Sequence, residues 1–148
     1  MAKTIPEQGC VLCFDFGEKR IGVAVGDLDT KIAHPITTIV SNQRNARFEA
    51  IGTLVKQWQP VLFVVGLPAH NNGGEHEIAN KAKKFANRLN GRFNLPFHLE
   101  NEEFTSVEAA SILHKEGIFG TRHRNVVDQA AAQLILQGFF DHLQEHKS

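Results

Sequence analysis

The stretch that decides the fold is CVLCFDFGEKRIGVAVG, residues 10–26. Its two apolar halves, Cys10–Phe16 and Ile21–Gly26, are joined by the turn-like link Gly17–Arg20. Two such runs around a short polar link are typical of a β-hairpin. The only charge in the first run is Asp15, and an acid inside an apolar strand is costly unless it has a partner or a function. Asp15 is therefore the first candidate site residue, although it could also merely end the strand.

The remaining sequence predicts an α/β fold. After the hairpin, the sequence predicts the strand Ile36–Val40, entered through Pro35, and then a helix that ends before Pro60 and whose apolar face includes Phe48 and Trp58. The buried strand Val61–Gly66 follows, and then a helix that is marked by apolar residues between Ile78 and Leu89 and has Gly91 near its end. The last predicted elements are the short strand Phe97–Leu99, a helix Thr105–Glu116 and a helix from Val127 to about His146. Asn71–Gly74 and Gly117–Asn125 are predicted loops. Three antiparallel strands followed by right-handed crossovers predict a mixed five-stranded sheet with helices on both faces.

Composition limits the class of protein. The chain has 148 residues, which fits one domain spanning 1–148, and 42% of them are hydrophobic, which argues against disorder. Sixteen basic and sixteen acidic residues cancel, so a nucleic-acid partner would have to be met by a local basic patch. The start, Met1–Gly9, has no signal-peptide pattern, and no apolar run is long enough to span a bilayer. We expect a cytoplasmic protein without membrane contact.

Cys10 and Cys13 form a C-x-x-C pattern, which in other contexts indicates redox chemistry or half of a zinc site. Here both cysteines lie in one predicted strand, where residues three apart point to opposite faces. The eight histidines also lack zinc-finger spacing. Core packing is the favoured interpretation.

Three acids lie where predicted elements begin or end: Asp15, Glu102 and Asp128. The carboxyl ends of parallel strands share one edge of a sheet, and sites of α/β proteins form there. Clustered carboxylates repel unless a hard cation neutralises them, so Mg²⁺ or Mn²⁺ and two-metal phosphodiester hydrolysis are the expected cofactor and chemistry. Spacing alone leaves alternatives open, because Asp128 could serve a helix dipole and Glu102 has two acidic neighbours, Glu100 and Glu103.

Two groups of basic residues are candidates for phosphate contact. Arg122 and Arg124 lie in the predicted loop just before Asp128 and would overhang the acids. The lysines and the arginine of the second predicted helix, Lys81, Lys83, Lys84 and Arg88, would form a solvated face that could also follow a phosphate backbone.

Four segments resemble, in order, the motifs of the YqgF family, also called RuvX-like. They are FDFGEKRIGVAV at 14–25, VVGLP at 64–68, EEFTSVEA at 102–109 and VDQAAAQLILQ at 127–137. The resemblance spans nearly the whole chain. It implies an RNase H-like fold, a metal-dependent nuclease, and Asp15, Glu102 and Asp128 as catalytic and metal-holding acids. For two-metal hydrolysis at these acids, we expect Asp15 to bridge both ions and Glu102 and Asp128 each to complete one.

The resemblance also implies a substrate and further site residues. Family members are described as nucleases for the 5′ end of pre-16S ribosomal RNA, and in an older interpretation as Holliday junction resolvases. Gly17, Lys19 and Arg20 would shape the tight hairpin beside Asp15, and Lys19 and Arg20 would contact nucleic acid. Gly66 and Pro68 would let the substrate backbone approach closely.

The chain departs from the family pattern at Asn101-Glu102-Glu103, where Asp-Glu-Arg is usual. The metal-binding glutamate is kept, but an acid replaces the arginine, so we expect weaker substrate binding rather than lost chemistry. The loop before Asp128 is also less basic than usual.

Other interpretations remain to be weighed. The hairpin also resembles the phosphate-binding hairpin of sugar kinases and actin, but those proteins need two such domains and this chain fits one. A non-catalytic nucleic-acid-binding module is a further alternative. Structured RNA and branched DNA both remain possible partners, and cleavage of a four-way junction would need a homodimer rather than a monomer.

Overall fold

The computed structural model describes residues 6–17, 19–41, 43–67, 73–101 and 120–147. Its elements are β1 Cys10–Asp15, β2 Arg20–Asp27, β3 Ala33–Val40, α1 Arg44–Trp58, β4 Pro60–Leu67, α2 Gly73–Phe93, β5 Phe97–Asn101 and α3 Gly120–Lys147. The predicted helix Thr105–Glu116 lies outside the described residues. No helix within the described ranges combines the length and the apolar character needed to cross a membrane.

The five strands form one mixed sheet in the order β3-β2-β1-β4-β5. The pairs β1–β2 and β2–β3 are antiparallel, while β1–β4 and β4–β5 are parallel. The predicted mixed sheet is therefore confirmed. Its centre, β1, is continuously apolar up to its last residue because both of its faces are covered.

The sheet has a hydrophobic core on each face. Leu12 and Phe14 of β1 pack into the core beneath α1 and α2, while Val11 and Cys13 pack into the core beneath α3. Cys10 contacts the first core and Cys13 belongs to the second, so the predicted separation of the two cysteines is confirmed. Burial, with a smaller contribution from the charge of Asp27, raises the pKa of the Cys10 thiol to about 11. Because the two thiols lie on opposite faces of the sheet, they do not form one redox or metal-binding pair.

Helix α1 ends where the sequence predicts. Gln59 adopts the left-handed conformation (φ 47°, ψ 60°), and its N–H donates to the carbonyl of Val55. The residue before a proline is disfavoured in the right-handed helical conformation, so Pro60 stops the helix and begins β4.

Three predicted boundaries are wrong. Strand β3 begins at Ala33 and so includes Pro35, which is tolerated because β3 is an edge strand and the β2–β3 register shifts between Val23 and Ala24. Helix α3 begins at Gly120, seven residues before the predicted start, so Arg122 and Arg124 belong to a helix and not to a loop. No residue between Thr121 and Asn125 is apolar, so the sequence shows a helical pattern of apolar residues only after Asn125.

Helix α2 likewise begins earlier than the sequence predicts. It begins at Gly73, within the predicted loop Asn71–Gly74.

Helix α3 packs closely on β2 because β2 presents small residues to it. A Cβ atom added to Gly22 would lie 1.9 Å from the carbonyl oxygen of Asp128, and one added to Gly26 would lie 2.6 Å from the ring of Phe140. Ala24, between the two glycines, is fully buried in the same core. The backbone of α3 at Asp128 therefore rests directly on the backbone of β2 at Gly22.

Three glutamines tie α3 to the edge strand. Gln129, Gln133 and Gln137 are four residues apart and so share one side of the helix. Their side-chain amides donate to the Thr38 hydroxyl (3.3 Å), the Ala33 carbonyl (3.0 Å) and the Lys31 carbonyl (3.0 Å), respectively. These bonds set the position of α3 along the sheet.

The contact at Gly22 predicts a large effect of a single methyl group. Gly22→Ala should lower the free energy of unfolding by at least about 2 kcal/mol, because the obstacle is helix backbone that cannot rotate away. Gly138→Ala, in α3 with nothing within 4 Å of the added Cβ, is the matched control. The control should gain about 0.5–1 kcal/mol from better helix propensity. Urea titrations measure both, and an unchanged midpoint for Gly22→Ala would contradict the contact.

Candidate active site

Asp15 ends β1 at the edge where the carboxyl ends of the parallel strands meet. The four residues before it, Val11–Phe14, have no exposed surface, whereas Asp15 is half-buried. Val11 and Cys13 face α3, so strand alternation directs Asp15 to that face as well. Because the core holds the backbone of these four buried residues in place, the position of Asp15 at the end of the strand is fixed as well.

Asp15 lies in the middle of a row of paired residues that crosses the sheet. Gly22 of β2 pairs with it on one side and Gly66 of β4 on the other. The row continues to Thr38 of β3 and to Glu100 of β5. Gly22 and Gly66 have no side chains, so Asp15 supplies the only acidic group that this row has on β2, β1 and β4. Gly66, at which the family resemblance implies close approach of the substrate backbone, is the parallel-strand partner of Asp15.

Asp128 reaches the same place from α3. Its backbone rests on Gly22, the strand partner of Asp15, so Asp128 lies above the neighbouring strand on the face of the sheet to which Asp15 points. Asp128 is also the ninth residue of α3, counted from Gly120, and the dipole effect falls off within the first turn. The alternative that Asp128 serves the helix dipole is therefore wrong.

Arg20 holds the Asp128 carboxylate. Its Nε donates to Oδ2 of Asp128 at 2.7 Å, and both side chains are about a quarter exposed (24% and 25%). The hairpin that carries Arg20 is tight, since a Cβ atom at Gly17 would lie 2.5 Å from the Arg20 carbonyl oxygen. Lys19 is exposed, and its carbonyl accepts the N–H of Ser41. The structure thus places Arg20 among the acids and leaves Lys19 at the surface of the hairpin.

Glu100 is an acid that the sequence reasoning treated only as a competitor of Glu102. Its side chain is buried (6% exposed), and each carboxylate oxygen contacts an imidazole. Oε1 lies 3.1 Å from Nε2 of His98, and Oε2 lies 2.7 Å from Nδ1 of His142 on α3. Glu100 therefore joins β5 to the carboxyl-terminal part of α3. Strand alternation could have paired His98 with Glu100, but His142 is remote in sequence and no local pattern indicates it.

The remaining predicted site residues cannot be placed in the same way. Glu102 and Pro68 lie outside the described residues, as do the side chains of Arg122 and Arg124. Among the side chains that are described, no group of three or more His, Cys, Asp or Glu residues is arranged to hold a metal ion. Of the three predicted acids, the structure describes Asp15 and Asp128.

Comparison with known proteins bears on both family and fold. A family model described as "RuvX: Holliday junction resolvase" matches residues 9–142. A protein of Methylobacillus flagellatus described as "Putative pre-16S rRNA nuclease" is 52% identical over 136 residues, which cover 92% of this chain and 93% of the relative. A protein of Nitrosomonas europaea with the same description is 49% identical over 138 residues, covering 93% of each.

Solved structures with little sequence identity share the fold. RuvC of Thermus thermophilus in complex with a Holliday junction substrate matches with a TM-score of 0.58 and 13% identity, over 93% of this chain and 96% of that one. The fowlpox virus resolvase in complex with Holliday junction DNA matches with a TM-score of 0.50 and 12% identity, over 90% and 98%. The predicted RNase H-like fold is thereby confirmed. The family model and the relatives, taken together, show that the chain belongs to the RuvX family, which its motifs predict under the name YqgF.

Proposed function

We propose that this chain is a divalent-metal-dependent nuclease that hydrolyses phosphodiester bonds while processing the 5′ end of pre-16S ribosomal RNA in the cytoplasm. One observation carries the proposal: α3 rests on Gly22, the strand partner of Asp15, and this contact brings Asp128 to the side of Asp15 at the carboxyl edge of the sheet. The descriptions of the relatives support the RNA substrate. Residues 1–148 act as one catalytic domain in this proposal.

The acids of the site suit a hard divalent cation. Asp15, Asp128 and Glu102 would hold Mg²⁺ or Mn²⁺, since carboxylate oxygens are the ligands that these ions prefer. The ion pair between Arg20 and Asp128 supports a cation site here, because it shows that the negative charge of Asp128 attracts a cationic group. When bound, such ions polarise the phosphoryl oxygens and lower the pKa of water.

The protein's own residues supply position and charge. The buried strand before Asp15 and the helix resting on Gly22 hold the two aspartates at a fixed separation, which catalysis by positioning requires. Arg20 orients the Asp128 carboxylate through its Nε–H. Lys19 at the hairpin surface, together with Arg122 and Arg124, would contact phosphates, and Gly17, Gly66 and Pro68 would allow the substrate backbone to approach.

Branched DNA is the second candidate substrate. The family model is described as a Holliday junction resolvase, and the two matched resolvase structures contain junction DNA. Cutting a four-way junction symmetrically needs two active sites at a fixed spacing, hence a homodimer, whereas trimming an RNA end needs only a monomer. The oligomeric state on each substrate therefore distinguishes the two.

A nuclease assay with both substrates tests the proposal. With Mn²⁺ or Mg²⁺ present, the wild type should shorten a 5′-extended 16S precursor RNA faster than it cuts a four-way DNA junction. Asp15→Asn and Asp128→Asn should each reduce the rate by roughly 1,000-fold or more, because each removes a metal-binding charge. Asp29→Asn, an exposed acid in the turn after β2, is the control and should cleave like the wild type.

The outcomes separate the alternatives. Faster junction cutting by a dimer would replace RNA with branched DNA as the substrate. Binding of either nucleic acid without any metal-dependent cleavage would make the chain a binding module. Undiminished cleavage by Asp15→Asn would contradict the assigned site itself.

A second prediction concerns which glutamate serves the reaction. Glu100→Gln should retain cleavage within about threefold of wild type, because both carboxylate oxygens of Glu100 contact histidines. The same change should cost about 1 kcal/mol of stability through weaker hydrogen bonds. Glu102→Gln should instead lose at least about 100-fold in rate. Glu49→Gln, on the exposed side of α1, controls for loss of a charge. Loss of cleavage by Glu100→Gln at unchanged stability would assign the catalytic role to Glu100.

A further inference from the structure

The face of the sheet opposite the acids carries a cationic cavity of about 400 Å³ between α1 and α2. Five basic side chains line it: Arg44 and Arg47 from α1, and Lys81, Lys84 and Arg88 from α2. The rest of its described lining is phenylalanine, with no acid among these residues. Because the chain as a whole has zero formal net charge, this is a local concentration of positive charge.

Arg47 forms the fixed part of this cavity. Its side chain is 9% exposed, and its Nε donates to the Ser41 carbonyl at 2.6 Å. Its guanidinium lies 5.7 Å from the ring centroid of Phe16. A guanidinium held at this depth is oriented before any ligand arrives, which lowers the ordering cost of binding.

The other basic side chains form the rim. Arg44, Lys84 and Arg88 are exposed and form no ion pair within the described part of the chain. Lys81 lies 3.5 Å from Glu77, an exposed pair of the kind that contributes little. Five cations around one cavity repel one another, and an anion placed among them removes that repulsion. Arg44 is also the first residue of α1, where the helix dipole favours negative charge.

The cavity selects phosphate rather than a base. Phe48 and Phe85 are each 3% exposed, so neither offers a free ring face for stacking. Phe16 is covered by the Phe85 ring at 5.1 Å and by Arg47. Recognition by charge without stacking predicts binding that does not depend on sequence.

The cavity adjoins the candidate active site through one residue. Phe16, in its wall, directly follows Asp15, and consecutive Cα atoms are about 3.8 Å apart. Strand alternation directs Asp15 toward α3 and Phe16 toward α1 and α2. A nucleic-acid strand that crosses the end of β1 can therefore reach both places.

We propose that this cavity, the α1–α2 phosphate pocket, binds a backbone phosphate of the same nucleic-acid strand that is cut at Asp15, away from the scissile bond. The proposal rests on the nuclease function proposed above. It names a contact with the substrate that does not involve position 103, where this chain has Glu103 and the family usually has arginine.

Binding of a fluorescent single-stranded RNA, measured by anisotropy in EDTA so that no cleavage occurs, tests the pocket. The double variant Arg44→Gln/Lys84→Gln should bind at least about 10-fold more weakly than wild type. The slope of log K against the logarithm of the salt concentration should also be shallower than that of the wild type by about one to two. The control Lys56→Gln/Lys83→Gln removes the same charge from the same two helices. Lys83, which the sequence groups with Lys84 as a candidate for phosphate contact, is exposed and does not line the cavity, and neither does Lys56. The control should therefore change affinity by less than about twofold.

Equal losses in both double variants would overturn the proposal, since general positive charge would then explain binding. ATP binding that depends on Arg44 and Lys84 while RNA binding does not would make the pocket a free-nucleotide site and would also overturn it. If the double variant folds poorly by circular dichroism, the RNA affinity of the single variant Lys84→Gln is compared with that of Lys83→Gln. Weaker binding by Lys84→Gln alone supports the pocket, and equal affinities overturn it. Cleavage in Mn²⁺ is scored separately: a wild type that binds through the pocket but never cleaves contradicts the nuclease function alone.

Discussion

The contact between the backbone of α3 at Asp128 and the backbone of β2 at Gly22 is the constraint on which the site depends. Gly22 is the strand partner of Asp15, so any side chain there would separate the helix from the sheet and Asp128 from Asp15. The Gly22-Ala24-Gly26 face of β2 extends the same close packing along the helix. A glycine that looks like a mere strand interruption is thus what brings the two acids together.

Polar contacts fix the position of the helix once it is docked. Three glutamine side chains bond α3 to β3 and to Lys31 just before it. Arg20 bonds Asp128, and Glu100 bonds His142 near the other end of the helix. Asp15 points toward α3, which carries Asp128, whereas the five basic side chains of the α1–α2 cavity lie on the opposite face of the sheet. Asp15 and Phe16, adjacent in sequence, mark where the two faces meet. This arrangement reconciles a neutral chain with a polyanionic substrate.

The sequence was informative where local rules govern structure. Strand alternation separated Cys10 from Cys13, the charge in an apolar run pointed to Asp15, and Pro60 set the end of α1. The sequence failed to predict features that tertiary contacts determine. Pro35 is tolerated inside β3 because β3 is an edge strand, and the position of a strand in the sheet cannot be read from its own residues. The start of α3 at Gly120 could not be predicted because residues 121–125 include no apolar side chain. Glu100 with His142, and Arg44 with Lys84, are remote in sequence, so their proximity is a product of the fold.

The most direct test of this account is the Mn²⁺ affinity of the folded protein, measured by calorimetry on the wild type and on Asp15→Asn, Asp128→Asn and Gly22→Ala. The account predicts a saturable site in the wild type and an affinity at least about 10-fold lower in each variant, including Gly22→Ala, which keeps every carboxylate but displaces Asp128. Wild-type affinity in Asp128→Asn, or in a folded Gly22→Ala, would contradict it. Either result would mean that the helix contact does not build the metal site.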